Sequence, residues 1–272
     1  MNNLTFRSTD LSADVGRLQN RIKELGRIGA ITGGGVCRLS LSDEDRDGRD
    51  LIVRWMHDLG LVIQIDGIGN VIGTRTGILD SPPVIIGSHI DSVATGGLYD
   101  GALGVLAGLE AIQTLNDADL KTQYPIAVGF FTNEEGVRFT PDMMGSAVHQ
   151  GSLSLETALE TVGTDGQTVG AELSRIGYAG DIPVNNMIPR AFLELHIEQG
   201  PVLENTNTTI GAVTGVQGIS WTEFELRGVS NHAGTTPMHL RHDAGYVAAA
   251  IAVEARAIAT DLGANQVATV GV

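Results

Sequence analysis

The sequence predicts an α/β protein, a largely parallel sheet with flanking helices, followed by the start of a smaller α+β domain. Three features of the 272 residues lead there. Apolar runs of strand length, at Val84–Ile86, Pro125–Thr132 and Ala191–Leu195, alternate with stretches whose apolar residues recur at helical spacing. Each run leads into residues suited to binding or catalysis: His89, then Glu134 and Glu135, then His196. From about Gly211 this alternation gives way to β-rich sequence of mixed polarity and one long alanine-rich helix. The chain is accordingly divided into residues 1–210 and 211–272.

Taken in order, Val15, Leu18, Ile22, Leu25 and Ile28 mark an amphipathic helix, and Gly33–Gly35 a loop. Ser42, with Asp45 three residues on, resembles a capping box. It opens a helix through Leu51, Ile52, Trp55, Met56 and Leu59 that stops at Gly60. Leu61–Ile65 reads as a strand. The segment GIGNVIG (Gly67–Gly73) nearly spells a dinucleotide-binding fingerprint, but it has one residue too many before the third glycine. It also leads into β-like residues (Val71, Ile72, Thr74), so a turn between strands is the better reading. After Val84–Ile86 a loop carries His89, Asp91, Gly96, Gly97 and Asp100, and Ala102–Leu115 is a helix. Pro125–Thr132 is apolar throughout, as expected of a central strand buried on both faces. A loop rich in turn residues follows (Thr140, Pro141, Asp142, Gly145), then an interrupted helical region over Leu155–Gly177 and the strand Ala191–Leu195. In the second part Ile219–Arg227 is β-rich and Ser230–Pro237 is a loop. Val247, Ile251, Ala255, Ile258 and Leu262 mark the long helix, and Gln266–Val272 starts a strand.

Composition removes several classes of function. A net charge of −15 and an isoelectric point near 4.7 lack the basic face that a nucleic-acid partner requires. The single cysteine, Cys37, rules out an internal disulfide framework and fits a reducing compartment. The start, MNNLTFRSTDLSADV, lacks an apolar leader core, and no apolar run approaches the ~20 residues of a membrane span. A soluble cytoplasmic protein with no membrane partner is therefore expected. There is no G-x-S-x-G elbow, and Cys37 has no nearby candidate base, so serine and cysteine hydrolases are set aside.

The strand ends carry the chemistry. In a largely parallel sheet they meet at the carboxyl edge, where α/β proteins build their sites. His89 and Asp91 have the spacing of a metal-binding imidazole and the carboxylate that orients it, or of two polar loop residues. Asp100 precedes the helix at Ala102, and metal ligation competes there with the commoner role of helix cap. Glu134 and Glu135 are adjacent acids after an apolar strand. A cation would neutralise their repulsion and leave one of them free as a base, whereas plain solvent exposure would leave both inert. His196 shares a strand face with Glu194 and Glu198, which could equally be a solvated face. His232 lies in the Ser230–Pro237 loop, where it is either a substrate clamp and oxyanion donor or idle.

The segments GSHIDSVATGGLYDGALGVLAG, FFTNEEGVRF, FLELHIEQGPVLE and SNHAGTTPM resemble, in this order, the M20-type metallo-amidohydrolases. GGGVCRLSLSDEDRDGRDL is similar to the branch that holds the N-carbamoyl-L-amino-acid hydrolases, β-ureidopropionases and allantoate amidohydrolases. The resemblance implies a zinc-exopeptidase-like catalytic domain over 1–210 and the beginning of a lid and dimerisation domain over 211–272. It implies two divalent metal ions, Zn2+ or Mn2+ with Co2+ or Ni2+ as substitutes. His89 and His196 would bind one metal, Glu135 the other, and Asp100 would bridge them. Glu134 would be the general base and Asp91 the carboxylate that orients His89. His232 would reach the substrate oxyanion from a partner subunit of a homodimer, and Gln199 would line the substrate pocket. The substrate would be a small ureido or amide compound, N-carbamoyl-L-amino acids first, with allantoate, β-ureidopropionate, and the amides and peptides of the wider family as alternatives. An inactive, dimerising metal-binding scaffold is the non-enzymatic alternative. In one respect the sequence departs from the pattern. The family's last ligand histidine, and the Asn and Arg that hold a substrate carboxylate, would lie beyond Val272, which marks the sequence as an N-terminal fragment that loads metal incompletely and turns over poorly.

Overall fold

The computed structural model describes residues 11–263 and 265–271. The start of the chain (residues 1–10), part of the stretch in which a leader was sought, and Val272, the end of the expected last strand, lie outside the described residues. The chain forms two compact units, Met1–Thr208 and Thr209–Val272.

The first unit opens with α1 (Val15–Leu25), whose N-terminal amides are capped by Asp14, and α2 (Asp43–Asp58), capped by Ser42. Half of the expected capping box forms. The Ser42 hydroxyl accepts from the Asp45 amide, but the Asp45 carboxylate turns to the Leu41 amide and to Arg49 instead of the Ser42 amide. Strands β1 (Val62–Ile65) and β2 (Val71–Arg75) follow, then β3 (Val84–Ser88), α3 (Ala102–Asp117) and β4 (Ile126–Phe130). Next come α4 (Met144–Gln150), α5 (Leu155–Glu160), α6 (Val169–Ile176), β5 (Ala191–Leu193) and the short α7 (Val202–Asn205). α4 occupies the end of a stretch expected to be loop, where Gly145 and the polar Ser146 and Gln150 conceal the helical Met144 and Val148, both buried.

The five strands form one sheet in the order β1-β2-β4-β3-β5. β3 lies parallel to β4 and to β5, while β2 runs antiparallel to both β4 and β1. The sheet is therefore mixed rather than largely parallel. The connections explain the difference. β3 and β4 are joined through α3, a crossover long enough to restore the strand direction, whereas the short turn between β1 and β2 can only reverse it. That turn is the GIGNVIG segment. The carboxylate of Asp66, the residue before it, accepts from the Ile68 and Asn70 amides, which folds the near-fingerprint into a hairpin corner.

β4 is central, between β2 and β3, as its unbroken apolar sequence requires. α3 packs on β3 and β4 with Val105, Leu106 and Leu109 fully buried. Gly104 and Gly108 let it approach, since a Cβ on Gly108 would press on Ile86 and Val128. On its other side α3 holds α1 through Glu110, which is 1% exposed. Glu110 accepts from the Asp14 amide at 2.9 Å and from Arg17 Nε and Nη2 at 2.8 and 2.7 Å.

The second unit contains a 3₁₀ turn, Met238–Leu240, and α8 (Ala244–Leu262), capped by Asp243. No strand forms among its described residues, so its expected α+β character is corrected to helix and extended chain. Ile219–Arg227 has strand-like composition, but strand geometry is stabilised by a ladder, and no described segment pairs with it. Gln266–Gly271 is unpaired for the same reason. Among the described residues no helix is long and apolar enough to cross a membrane.

Burial pushes the Glu110 carboxyl up, but the Arg17 and Asp14 hydrogen bonds outweigh it and hold the group below its ordinary value of 4.5. A carboxylate with a depressed folded pKa stabilises the fold above its unfolded value, and the contribution is lost as pH falls through the folded one. Glu110→Gln should lower stability at neutral pH by about 1–3 kcal/mol and flatten the acid limb of the stability profile below pH 4.5. Urea unfolding of both proteins between neutral pH and the acid limb checks this.

Candidate metal centre

Because β3 is parallel to both β4 and β5, the chain leaves all three strands at the same edge of the sheet. His89 follows β3 directly and is 1% exposed. Glu134 and Glu135 come from the loop after β4, and His196 from the segment after β5, which ends at Leu193, earlier than expected. Asp100 arrives from the loop that enters α3. Gly101, not Asp100, occupies the N-cap position, and no side chain caps this helix. Helix capping is thereby removed as the competing use of the Asp100 oxygens.

One ligand atom from each of His89, Asp100 and His196 falls within 4.8 Å of the others. The two imidazoles stack at 6.0 Å between centroids. His89 Nδ1 lies 2.9 Å from the Asp91 carbonyl oxygen, and His196 Nδ1 lies 2.8 Å from the Ile197 carbonyl oxygen. A carbonyl only accepts, so each neutral ring carries its proton on Nδ1 and presents the Nε2 lone pair. Those lone pairs face oxygen. His89 Nε2 is 3.3 Å from Glu134 Oε2, and His196 Nε2 is 3.3 Å from Asp100 Oδ1. Two acceptors in contact repel unless a cation lies between them or the ring takes a second proton. For His89 burial opposes that proton, yet Asp91, Glu134 and Glu135 together outweigh it and raise the imidazole above its ordinary range.

Asp91 is placed differently from the expectation. Its carboxylate is 3.7 Å from His89 Nδ1, and its backbone carbonyl orients the ring. The carboxylate, 2% exposed, accepts from the Glu134 amide at 3.3 Å and the Glu135 amide at 3.2 Å, tying the loop after β4 to the loop after β3. Burial pushes it up to about 6. Glu135 is also pushed up to about 6, by burial first and by the negative charge of Asp100, Asp91 and Glu134. Its Oε1 is buried with no hydrogen-bond partner, which is the condition of a carboxylate suited to a cation. Among the described residues only the His89–Asp100–His196 group converges, and Glu135 stands outside it.

Gln199, expected in the pocket lining, donates from Nε2 to Asp100 Oδ2 at 2.7 Å. His232 belongs to the second unit and is described within it. Its Nδ1 accepts from the Gly234 and Thr235 amides at 3.1 and 3.2 Å, so its neutral ring carries the proton on Nε2 and presents a donor. Two further residues escaped sequence reasoning. Asn133 is buried with φ of 54° and clamps the following loop by donating from Nδ2 to the Phe139 and Pro141 carbonyls. Gly101 has φ of 59°, and a Cβ there would overlap the His89 imidazole. Their signals were available, since Asn and Gly are the residues that enter left-handed backbone most readily and both border candidate acids.

Fold and site together define a mixed α/β protein with a histidine–carboxylate cluster of metal-binding type at the carboxyl edge of its parallel strands. The profile of Peptidase family M20/M25/M40 matches residues 85–269, and the chain belongs to that family. Within it the chain falls in the hydantoinase/carbamoylase amidase branch. It is 44% identical over 256 residues to an N-carbamoyl-L-amino-acid amidohydrolase of Rhizobium meliloti, covering 94% of this chain and 61% of the relative. Against a ureidoglycolate hydrolase of Arabidopsis thaliana the identity is 37% over 277 residues, with 97% and 58% covered. A crystal structure of a hydantoinase/carbamoylase family amidase from Burkholderia ambifaria superposes with a TM-score of 0.81 at 45% identity, over 93% of this chain and 62% of that one. The chain thus spans about three fifths of the length of the curated relatives it matches.

Gly101→Ala should leave the fold intact by circular dichroism but displace the His89 ring. The variant is expected to take up less Zn2+ than the parent chain in equilibrium dialysis with elemental analysis.

Proposed function

We propose that the protein of which this chain is part hydrolyses a ureido or amide C–N bond with the help of two divalent metal ions. In this reading unit 1 is the catalytic domain and unit 2 begins a lid and dimerisation domain. The observation that carries it is the convergence of His89, Asp100 and His196, with the neutral tautomer of both rings fixed so that lone pairs face the carboxylates. The donor set fits Zn2+ or Mn2+: two imidazole nitrogens, a shared carboxylate, and the partnerless buried oxygen of Glu135. His89 and His196 would hold one metal, Glu135 the other, with Asp100 between. Only three ligands converge, so one ion is expected to bind more tightly than the second.

Bound metal would supply Lewis-acid polarisation of the scissile carbonyl and bring a water near pKa ~7. The protein's part begins with Glu134, whose side chain is 34% exposed and can reach water. Its backbone amide is held by Asp91, so the carboxylate projects from a fixed point. Glu134 would take the proton of the attacking water and deliver it to the leaving nitrogen, the ordinary work of a positioned carboxylate. His232, whose Nε2–H is free to donate, would stabilise the oxyanion from the partner subunit of a homodimer. Gln199 steadies Asp100 and would border the substrate.

N-carbamoyl-L-amino acids head the substrate list, as the 44% identical Rhizobium meliloti relative is named for them. Their hydrolysis would release the amino acid, carbon dioxide and ammonia. The Arabidopsis thaliana relative favours ureidoglycolate as a second reading. Ammonia release across a panel of N-carbamoyl-L-amino acids, ureidoglycolate, allantoate and β-ureidopropionate, beside the release of free amino acids from dipeptides, separates these. Preference for dipeptides would overturn the ureido reading, and bound metal without turnover of any of these compounds would favour the metal-binding scaffold. Glu134→Gln should retain metal content while activity falls by at least ~100-fold; unchanged turnover would remove Glu134 from its role.

A further inference from the structure

The GGGVCRL segment takes no part in the metal cluster, yet it grips the loop that presents His89. Arg38 is a buried cation, 2% exposed, and its guanidinium makes no direct ion pair among the described residues. It spends its donors on main-chain carbonyls. Nη1 donates to Leu25 and Ile28 at 3.3 and 3.0 Å, closing the end of α1, while Nε donates to the Ile90 carbonyl at 2.6 Å. That carbonyl belongs to the residue between His89 and Asp91. The backbone of Arg38 then takes Ser92 in a reciprocal pair. Its amide donates to Ser92 Oγ at 2.9 Å, and the Ser92 amide donates to its carbonyl at 2.9 Å. Val36 and Gly96 exchange amide–carbonyl bonds at 3.0 and 2.8 Å further along. The loop is thus fastened at Ile90, Ser92 and Gly96, around the stretch whose own geometry brings the Asp91 carbonyl to His89 Nδ1.

We propose that Arg38 is a positioning residue for the metal centre, holding the Ile90 peptide so that the Asp91 carbonyl fixes the His89 ring with Nε2 toward the metal. The inference rests on His89 being a metal ligand. A guanidinium without a direct ion pair is costly to bury, and three carbonyls at one junction, with the nearby charges of Asp45 and Asp91, offset that cost. Lysine lacks the fork needed to reach α1 and the loop together.

The test is Co2+ binding by the chain, followed by titration and by the visible absorption of the bound ion, which reports ligand geometry. Arg38→Met removes the guanidinium at similar length. Ser92→Ala leaves it in place and removes one fastening. Glu110→Gln is the control for general destabilisation, as it loosens α1 from α3 without touching the loop. Loss of an outer partner of a ligand typically weakens metal binding by about 10- to 100-fold. That loss, with an altered cobalt spectrum, is expected for Arg38→Met. A smaller loss in the same direction is expected for Ser92→Ala, and Glu110→Gln should keep the parent affinity and spectrum even with a lower melting temperature. If Arg38→Met does not fold, Ser92→Ala carries the test, and an unchanged affinity and spectrum there overturns the proposal. Parent-like cobalt binding by a folded Arg38→Met overturns it as well, as does an equal loss in Glu110→Gln. Failure of the parent chain to bind cobalt at all would instead overturn the metal reading, and this inference with it.

Discussion

The parallel pairing of β3 with β4 on one side and β5 on the other is the constraint from which the site follows. Parallel neighbours end at the same edge, so three chain segments distant in sequence are delivered to one place. The α3 crossover makes the β3–β4 pairing possible, and its small residues allow the helix to lie close to both strands. The antiparallel β1–β2 hairpin extends the same sheet beyond β4, but its turn contributes nothing to the cluster.

Electrostatics then set what that place can hold. Burial raises Asp91 and Glu135, which is the response of carboxylates that lack a compensating cation. Asp91 is relieved by two backbone amides, whereas one oxygen of Glu135 has no partner. The imidazoles add lone pairs to the same region. A group of acceptors this dense is unfavourable by itself, and the cation that would relieve it is what makes the arrangement chemically useful.

The residues of the candidate cluster were legible in the sequence because histidine and paired acids after apolar runs are conspicuous. The central position of β4 was legible too, from an apolar stretch with no polar face. Strand direction was not, because alternation of strands and helices says nothing of how β1 meets β2 until the hairpin at Asp66 is recognised as a reversal. The second unit defeated composition for a different reason. Ile219–Arg227 looks like a strand, but a strand is a relation between segments and no described segment pairs with it. Asp91 is legible as the partner of His89, but the contact of its carbonyl with the ring is not, since side chains can be read from a sequence and carbonyl directions cannot. Arg38 is not singled out by the sequence, because its partners are main-chain carbonyls that a sequence does not display.

The histidines share a feature whose reach goes beyond any one of them. His89 and His196 each touch a carbonyl within two residues, and His232 touches amides within three. A nearby carbonyl leaves a neutral ring with an acceptor facing outward, and nearby amides leave it with a donor facing outward. The protonation pattern is thus written in segments of a few residues, like a short-range code. Such a code does not depend on distant parts of a protein, and a loop transplanted with its neighbours intact would carry its donor or acceptor orientation with it.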